Sequence, residues 1–270
     1  MLKVVNSNNE RASITLNKAK LHGYYLNDLA NATSLLQQVE KDSRVKTDLR
    51  YQVKLELADL YLYQNDPKAS LLYFQIANQI KETELGHKAK LKNARYFFYQ
   101  GDFQLAKSQL DVLKHATTRK ISNDAIDLSV LIQNNLELDT SAHALQAYAN
   151  ADLLIFQHQY ERAQAQFNSM LSSYQNLSLT DEVYWKLAEV HLKMNNTQKA
   201  VDYYQKIITE YPEDILADDA IFTLAKLYET TLFDKTKAQE MYKKILFEHR
   251  GSIYLAESRK RFRALRGDTL

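Results

Sequence analysis

Seven histidines, 33 acidic and 35 basic side chains are the groups of this 270-residue chain that could carry chemistry. The histidines stand at 22, 87, 115, 143, 158, 191 and 249, scattered along the sequence. His143 and His158 flank one helical pattern, too far apart to share a metal. No His-Glu-x-x-His, no Gly-x-Ser-x-Gly and no glycine-rich phosphate loop occurs. Cysteine is absent, which removes disulfides and thiolate metal sites. The acidic pairs Glu213-Asp214 and Asp218-Asp219 follow turns at helix starts, where carboxylates complement the helix dipole. The residue types therefore predict a protein that is not an enzyme, with no catalytic residues, no cofactor and no metal. The densest charge cluster is Arg259, Lys260, Arg261, Arg263 and Arg266. It could meet an acidic partner or an anionic membrane surface; the reading taken is a solvated last helix whose cations suit its C-terminal dipole.

The elements that hold these groups recur. In YWKLAEVHLKMNNTQKAVDYYQKIITEYPEDILADDAIF (residues 184–222), Tyr184, Leu187, Ala188 and His191 keep one helical face, and Ala200, Tyr204 and Ile207 keep another. Asn195-Asn196 breaks the pattern between them, with Thr197 as the expected cap, and Tyr211-Pro212 ends it. Ala188 and Ala200 are small where the two helices approach. The small residue of the first helix returns as Ala19, Ala58, Ala94, Ala151, Ala188 and Ala225, at intervals of about 36 to 39 residues except one that is longer by about 20. Asp66-Pro67 reads as a helix start, Gly101 as a left-handed turn with Asp102 as cap, and Ser122 as the cap of an additional helix. The turn in ETTLFDKTK (229–237) is one residue longer than the others.

This spacing resembles the tetratricopeptide repeat (TPR), including the closing proline. The resemblance implies an all-α fold: a right-handed TPR superhelix of about six helical hairpins, one extra helix and a C-terminal capping helix. The expected boundaries are a lead-in at 1–10 and a single solenoid domain at 11–266. Within it fall hairpins at 11–45, 48–84 and 87–119, the extra helix 122–136, hairpins at 141–175, 180–212 and 215–250, and the cap 252–265. His22 and His191 then stand at a repeat position that favours tyrosine and read as packing residues.

In such solenoids the first helix of each hairpin lines the concave surface. Three rows follow, relative to the marker alanines: Leu16, Leu55, Leu91, Tyr148, Trp185 and Phe222 three residues before; Lys20, Asp59, Arg95, Asp152, Glu189 and Lys226 one after; Tyr24, Tyr63, Tyr99 and Phe156, then Lys193 and Thr230, five after. The expected groove consists of Tyr63, Leu91, Arg95, Tyr99, Tyr148, Asp152, Phe156, Trp185, Glu189, Phe222 and Lys226. It suits a peptide or helix of a protein partner that inserts apolar anchors. The first row is apolar where chaperone-binding TPRs carry Lys and Asn, so a carboxylate clamp is not implied. A structural spacer or self-assembling module, stacking through its terminal hairpins, is the alternative, and homo-oligomerisation is left open.

A net charge of +2 argues against a dedicated nucleic-acid binder. Five Gly and two Pro suit short turns between helices. No apolar run approaches the roughly 20 residues of a transmembrane helix, and MLKVVNSNNE lacks the apolar core of a signal peptide. The rhythm YYQKIITEYPEDILADDAIFTLAKLYE, then KAQEMYKKILFEHRGSIYLAESRKRFRALRG, is similar to bacterial envelope TPR proteins, especially long ones of Bacteroidetes. It also resembles the outer-membrane protein assembly lipoprotein and the Tol–Pal coordinator, whose lipoprotein cysteine and coiled-coil segment this sequence lacks. The resemblance favours the periplasm or outer-membrane periphery over the cytoplasm, within a multiprotein complex.

Overall fold

The computed structural model describes residues 7–114, 118–136, 141–174 and 178–268. The described residues form fourteen α-helices and no strand. In chain order they are α1 (Asn8–Tyr24), α2 (Leu29–Lys41), α3 (Thr47–Tyr63), α4 (Lys68–Gln79), α5 (Glu84–Tyr99), α6 (Phe103–Leu113) and α7 (Arg119–Leu136). There follow α8 (Ser141–Phe156), α9 (Tyr160–Ser173), α10 (Thr180–Lys193), α11 (Thr197–Glu210), α12 (Leu216–Thr230), α13 (Lys235–Glu248) and α14 (Leu255–Arg266). The chain divides into two compact units, Met1–Gln159 and Tyr160–Leu270, where the spacing predicts one continuous domain. Each unit is a stack of antiparallel helices: α1 packs on α2, α3 on α2 and α4, and α5 on α4 and α6 in the first, with α10 to α14 packed in succession in the second.

Six alanines of first helices (Ala19, Ala58, Ala94, Ala151, Ala188, Ala225) and six of second helices (Ala32, Ala69, Ala106, Ala163, Ala200, Ala238) are all fully buried. A larger side chain at any of them would push neighbouring backbones apart, which is why the repeat keeps a methyl there. The space beside them is filled by large groups, among them Tyr73, Tyr204 and Tyr242, each essentially without exposure.

Each turn from a first to a second helix contains one left-handed residue: Asn27, Asn65, Gly101, His158, Asn195 and Phe233. At Asn65, Gly101 and Asn195 the turn closes with a backbone bond spanning five residues, such as Asp66 N–H to the Tyr61 carbonyl. At Asn27 and Phe233 the closing bond spans six, Asp28 to His22 and Asp234 to Tyr228, which is the extra residue seen in 229–237. Asp28, Asp102 and Asp234 then accept the N–H groups of Asn31, Leu105 and Lys237, satisfying donors that a helix start leaves open. At α4 the cap residue is Pro67, and Asp66, expected as the cap, accepts Lys68 N–H from one position further out. Two further expected caps move. Asn196, not Thr197, is the cap residue of α11. Ser122 lies inside α7, which begins three residues earlier, and its hydroxyl donates to the Lys114 carbonyl at the end of α6.

Phe233 departs from the pattern. A large residue at φ 54° carries a steric cost of about 1–2 kcal/mol, and its side chain is 78% exposed, so burial returns little. Phe233→Asn is expected to stabilise the protein by about 1 kcal/mol, read as a rise of about 2–4 °C in Tm. An unchanged or lower Tm would mean the ring is held by something in the folded state.

The lead-in differs as well. Ser7 caps α1 through Glu10 N–H, and residues 8–10 already form its first turn; the expected lead-in residues 1–6, and 115–117, 137–140 and 175–177 within the expected hairpins and linkers, lie outside the described residues. The extra helix, α7, packs on α6 through Ile121, Ala125, Ser129 and Ile132, with Ser129 donating to Asp111.

Candidate functional site

The first helices of the first unit present one open cleft of about 610 Å3, walled by α1, α3 and the N-terminal half of α5. Leu16, Ile80 and Leu85 give its apolar surface over buried Leu55, with Tyr51 beside them. Lys20 and Asp59, the residues after the first two marker alanines, line it too. So the two inner rows read from the repeat do meet in space, at Leu16, Leu55, Lys20 and Asp59.

Polar groups on the cleft wall are tied across helices. Lys20 of α1 pairs with Glu56 of α3 at 3.0 Å, and Lys92 of α5 pairs with Asp59 of α3 at 2.9 Å. Asp59 also accepts the hydroxyl of fully buried Tyr73 at 2.6 Å. Tyr24 lies behind Glu56; burial, then the charges of Glu56 and Asp59, push its phenol far above the usual range, so it stays a donor. The three first helices are thus joined by charge-assisted bonds that fix the cleft's width.

The C-terminal ends of the same helices are not open. α8 runs across them. Gln146 donates to the Tyr99 carbonyl at the end of α5, and Gln157 to the Tyr63 carbonyl at the end of α3. Tyr99 donates its hydroxyl to Asp152 at 3.1 Å. The His158 ring, just past α8, meets Tyr24 and Tyr63 at 5.7 Å each, and those two rings meet edge to face at 5.4 Å. Tyr148 packs on Phe98. Leu91, Tyr99 and Tyr148, expected on an open groove, are therefore covered, each 5–6% exposed. Arg95 lies beneath α8 in the field of Asp152 and Asp124. Tyr63 and Phe156 are half-buried.

In the second unit Trp185 is half-buried edge-on to Tyr204 at 5.2 Å, and Glu189 pairs with Lys186 at 3.3 Å. Phe222 is stacked on Tyr254 at 4.2 Å, with Lys226 exposed at its rim. Tyr254 is anchored by its hydroxyl to Asp219, so the cap helix α14 seals the far side of Phe222. Arg261, read as part of a solvated cluster, instead binds Glu229 at 3.0 Å and Glu257 at 2.8 Å. Arg259 and Lys260 are exposed. His191 is 1% exposed and stacked on Tyr203, a packing residue as its position implies; His22 bonds Asp28 at 3.1 Å.

Sequence reasoning missed the rest of the lining, among it Asp48, Tyr51, Glu56, Glu84, Leu85 and Lys88. The signal was present: continuing the inner row one and two turns back along α3 and α5 reaches Tyr51, Asp48, Lys88 and Glu84. Among the described residues no group of three or more His, Asp or Glu is placed to hold a metal, and no helix is long and apolar enough to cross a membrane.

These features define an all-α helical-repeat protein. Residues 182–214, covering most of α10 and all of α11, match the family model described as tetratricopeptide repeat, and the chain carries that repeat. Two solved structures are similar along most of their length. One is a tetratricopeptide repeat protein from Parabacteroides merdae, 15% identical over 95% of this chain and 99% of that one, with a TM-score of 0.41. The other is the P58(IPK) TPR domain, 13% identical over 93% of this chain and 77% of that one, with a TM-score of 0.38. Comparison with curated proteins gives no match.

Proposed function

We propose that this protein is a non-enzymatic interaction scaffold that holds a peptide or helical segment of a protein partner against the first helices of its repeats. The observation that carries the reading is the cleft on α1, α3 and α5, where half-buried Leu16 and Leu85 flank buried Leu55 among ion-paired groups that keep the wall rigid. Stacked helical repeats commonly use such surfaces for protein partners, and a row of apolar side chains between charges suits an inserted helix. The corresponding surface of the second unit is Trp185, Glu189, Phe222 and Lys226. A place in a bacterial envelope complex belongs to the same proposal and is supported by the rhythm of residues 203–267 alone.

In-cell crosslinking with mass spectrometry tests it, comparing wild type with Tyr51→Ala/Leu85→Ala and with Trp185→Ala/Phe222→Ala. Loss of a true anchor costs roughly 2 kcal/mol or more of binding, so at least one pair is expected to lose a partner that wild type retains. An unchanged partner list in both would sink the reading. One observation favours self-association as a second reading: Ile14 and Leu21 of α1 and Tyr25 just past its end are exposed, 51–78% accessible. It requires a mass that rises with concentration in light scattering.

A further inference from the structure

We propose that the first-unit cleft selects a cationic amphipathic helix of its partner, apolar on one side and bearing lysine or arginine along its edge. The inference rests on the groove-binding reading and adds the partner's charge. Four carboxylates line the cleft, Asp48, Glu56, Asp59 and Glu84, against two lysines, Lys20 and Lys88. Their commitments differ. Lys20 is engaged by Glu56 and Asp59 by Lys92, so these groups neutralise one another on the wall. Asp48 and Glu84 are exposed and held in no ion pair among the described residues. They stand on the first turns of α3 and α5, with only Lys88 lining the opening beside them.

A helix entering over Leu55 and Leu85 therefore meets two free carboxylates across the opening. Lysines on its edge can pair with both without breaking any internal bond. A glutamate-bearing helix meets the same two charges as repulsion and gains one lysine. Short-range pairing decides this, because at physiological salt the chain's distant charges are screened beyond about 8 Å. The net charge of +2 acts the other way, drawing acidic peptides weakly to the whole surface. A preference for the cationic helix is thus a property of the cleft and cannot come from bulk charge.

The test is fluorescence anisotropy on the full chain with three labelled peptides of about 15 residues, roughly four helical turns. They are a Leu/Lys amphipathic helix, its Leu/Glu counterpart, and a Leu/Lys scramble without an apolar face. The Leu/Lys helix is expected to bind at least about tenfold tighter than the other two, as two modest exposed ion pairs allow. Asp48→Asn/Glu84→Gln, both at exposed sites, is expected to remove most of that preference. Equal binding of all three peptides, or a preference untouched by the double substitution, overturns the charge assignment. Leu85→Ser separates this from the wider reading. It is expected to weaken both charged helices and leave their ratio unchanged; if it weakens both while wild type shows no preference between them, the groove stands and the cationic assignment falls, and if it changes neither, both fall.

Discussion

Asp59→Ala is expected to destabilise the protein by about 3 kcal/mol, the largest loss from any single polar side chain on the cleft wall. Two groups depend on this carboxylate. The Tyr73 ring has no exposure, and its hydroxyl donates to Oδ1 at 2.6 Å. Burial, followed by the Asp59 charge, pushes the Tyr73 phenol well above its usual range, so it remains a donor needing an acceptor. Lys92 donates to Oδ2 at 2.9 Å, with its side chain 22% exposed and that of Asp59 14%. Alanine strands a buried hydroxyl and a half-buried ammonium together. Asn keeps an acceptor for Tyr73 but not the counter-charge, and should cost about half as much; Lys92→Met, which removes the cation and keeps its methylenes, should cost least. Urea unfolding followed by far-UV circular dichroism gives the order. If Asp59→Ala lies within about 0.5 kcal/mol of wild type, the network is effectively solvated and cannot be what fixes the cleft's width.

The bond from Tyr73 to Asp59 also marks how far sequence reaches. The twelve buried alanines were legible because a methyl is the only side chain that lets two helices approach at that spacing, whatever surrounds them. Gly101 and Asn195 were legible because few residues take a left-handed backbone cheaply. Phe233 occupies the same conformation without belonging to that class, so only the extra length of its turn gave it away. The course of α8 was not legible. Its Ala147, Ala151 and Leu154 repeat the first-helix pattern, and local pattern carries no information about a distant acceptor. What directs it are the Tyr99 and Tyr63 carbonyls, 47 and 94 residues away from their glutamine partners. The aromatic row Tyr24, Tyr63 and Tyr99 therefore lies under the chain's own helix, and the open cleft takes in the middle of α1, most of α3 and the first turns of α5.

The second unit is expected to lose stability as pH rises above about 6.5, and Glu182→Gln is expected to abolish that loss. Glu182 sits in the first turn of α10 beside buried Asp181, and its Oε2 finds no hydrogen-bond partner among the described residues. Burial, then the hydrogen bond with and charge of Asp181, then the charge of Asp214, hold its carboxyl well above the ordinary range. The folded unit thus keeps a proton that the unfolded chain releases above about pH 4.3. Stability falls with rising pH from there until the folded group itself ionises, at up to about 1.4 kcal/mol per pH unit. His191 acts in the opposite direction. Burial, then the charge of Lys199, lowers its pKa, and its Nδ1 has no partner among the described residues. The unfolded chain takes up that proton below about pH 6.5 while the folded ring resists it, so this contribution is lost on acidification. Between about pH 4.3 and 6.5 the two slopes oppose each other, with Asp219, also raised by burial, acting in the same direction as Glu182; above 6.5 the His191 contribution is complete and the loss through Glu182 continues. Trp185, the one tryptophan, lies on α10 between them and reports this unit alone by fluorescence. Urea midpoints at several pH values should show a falling wild-type limb above about 6.5, a flat one for Glu182→Gln, and no acid limb for His191→Phe. Parallel wild-type and Glu182→Gln curves would place the carboxylate in water, and with it the first turn of α10. The double variant keeps Asp219, whose carboxyl burial also holds above its ordinary range, so any slope it retains at acid pH belongs to that group.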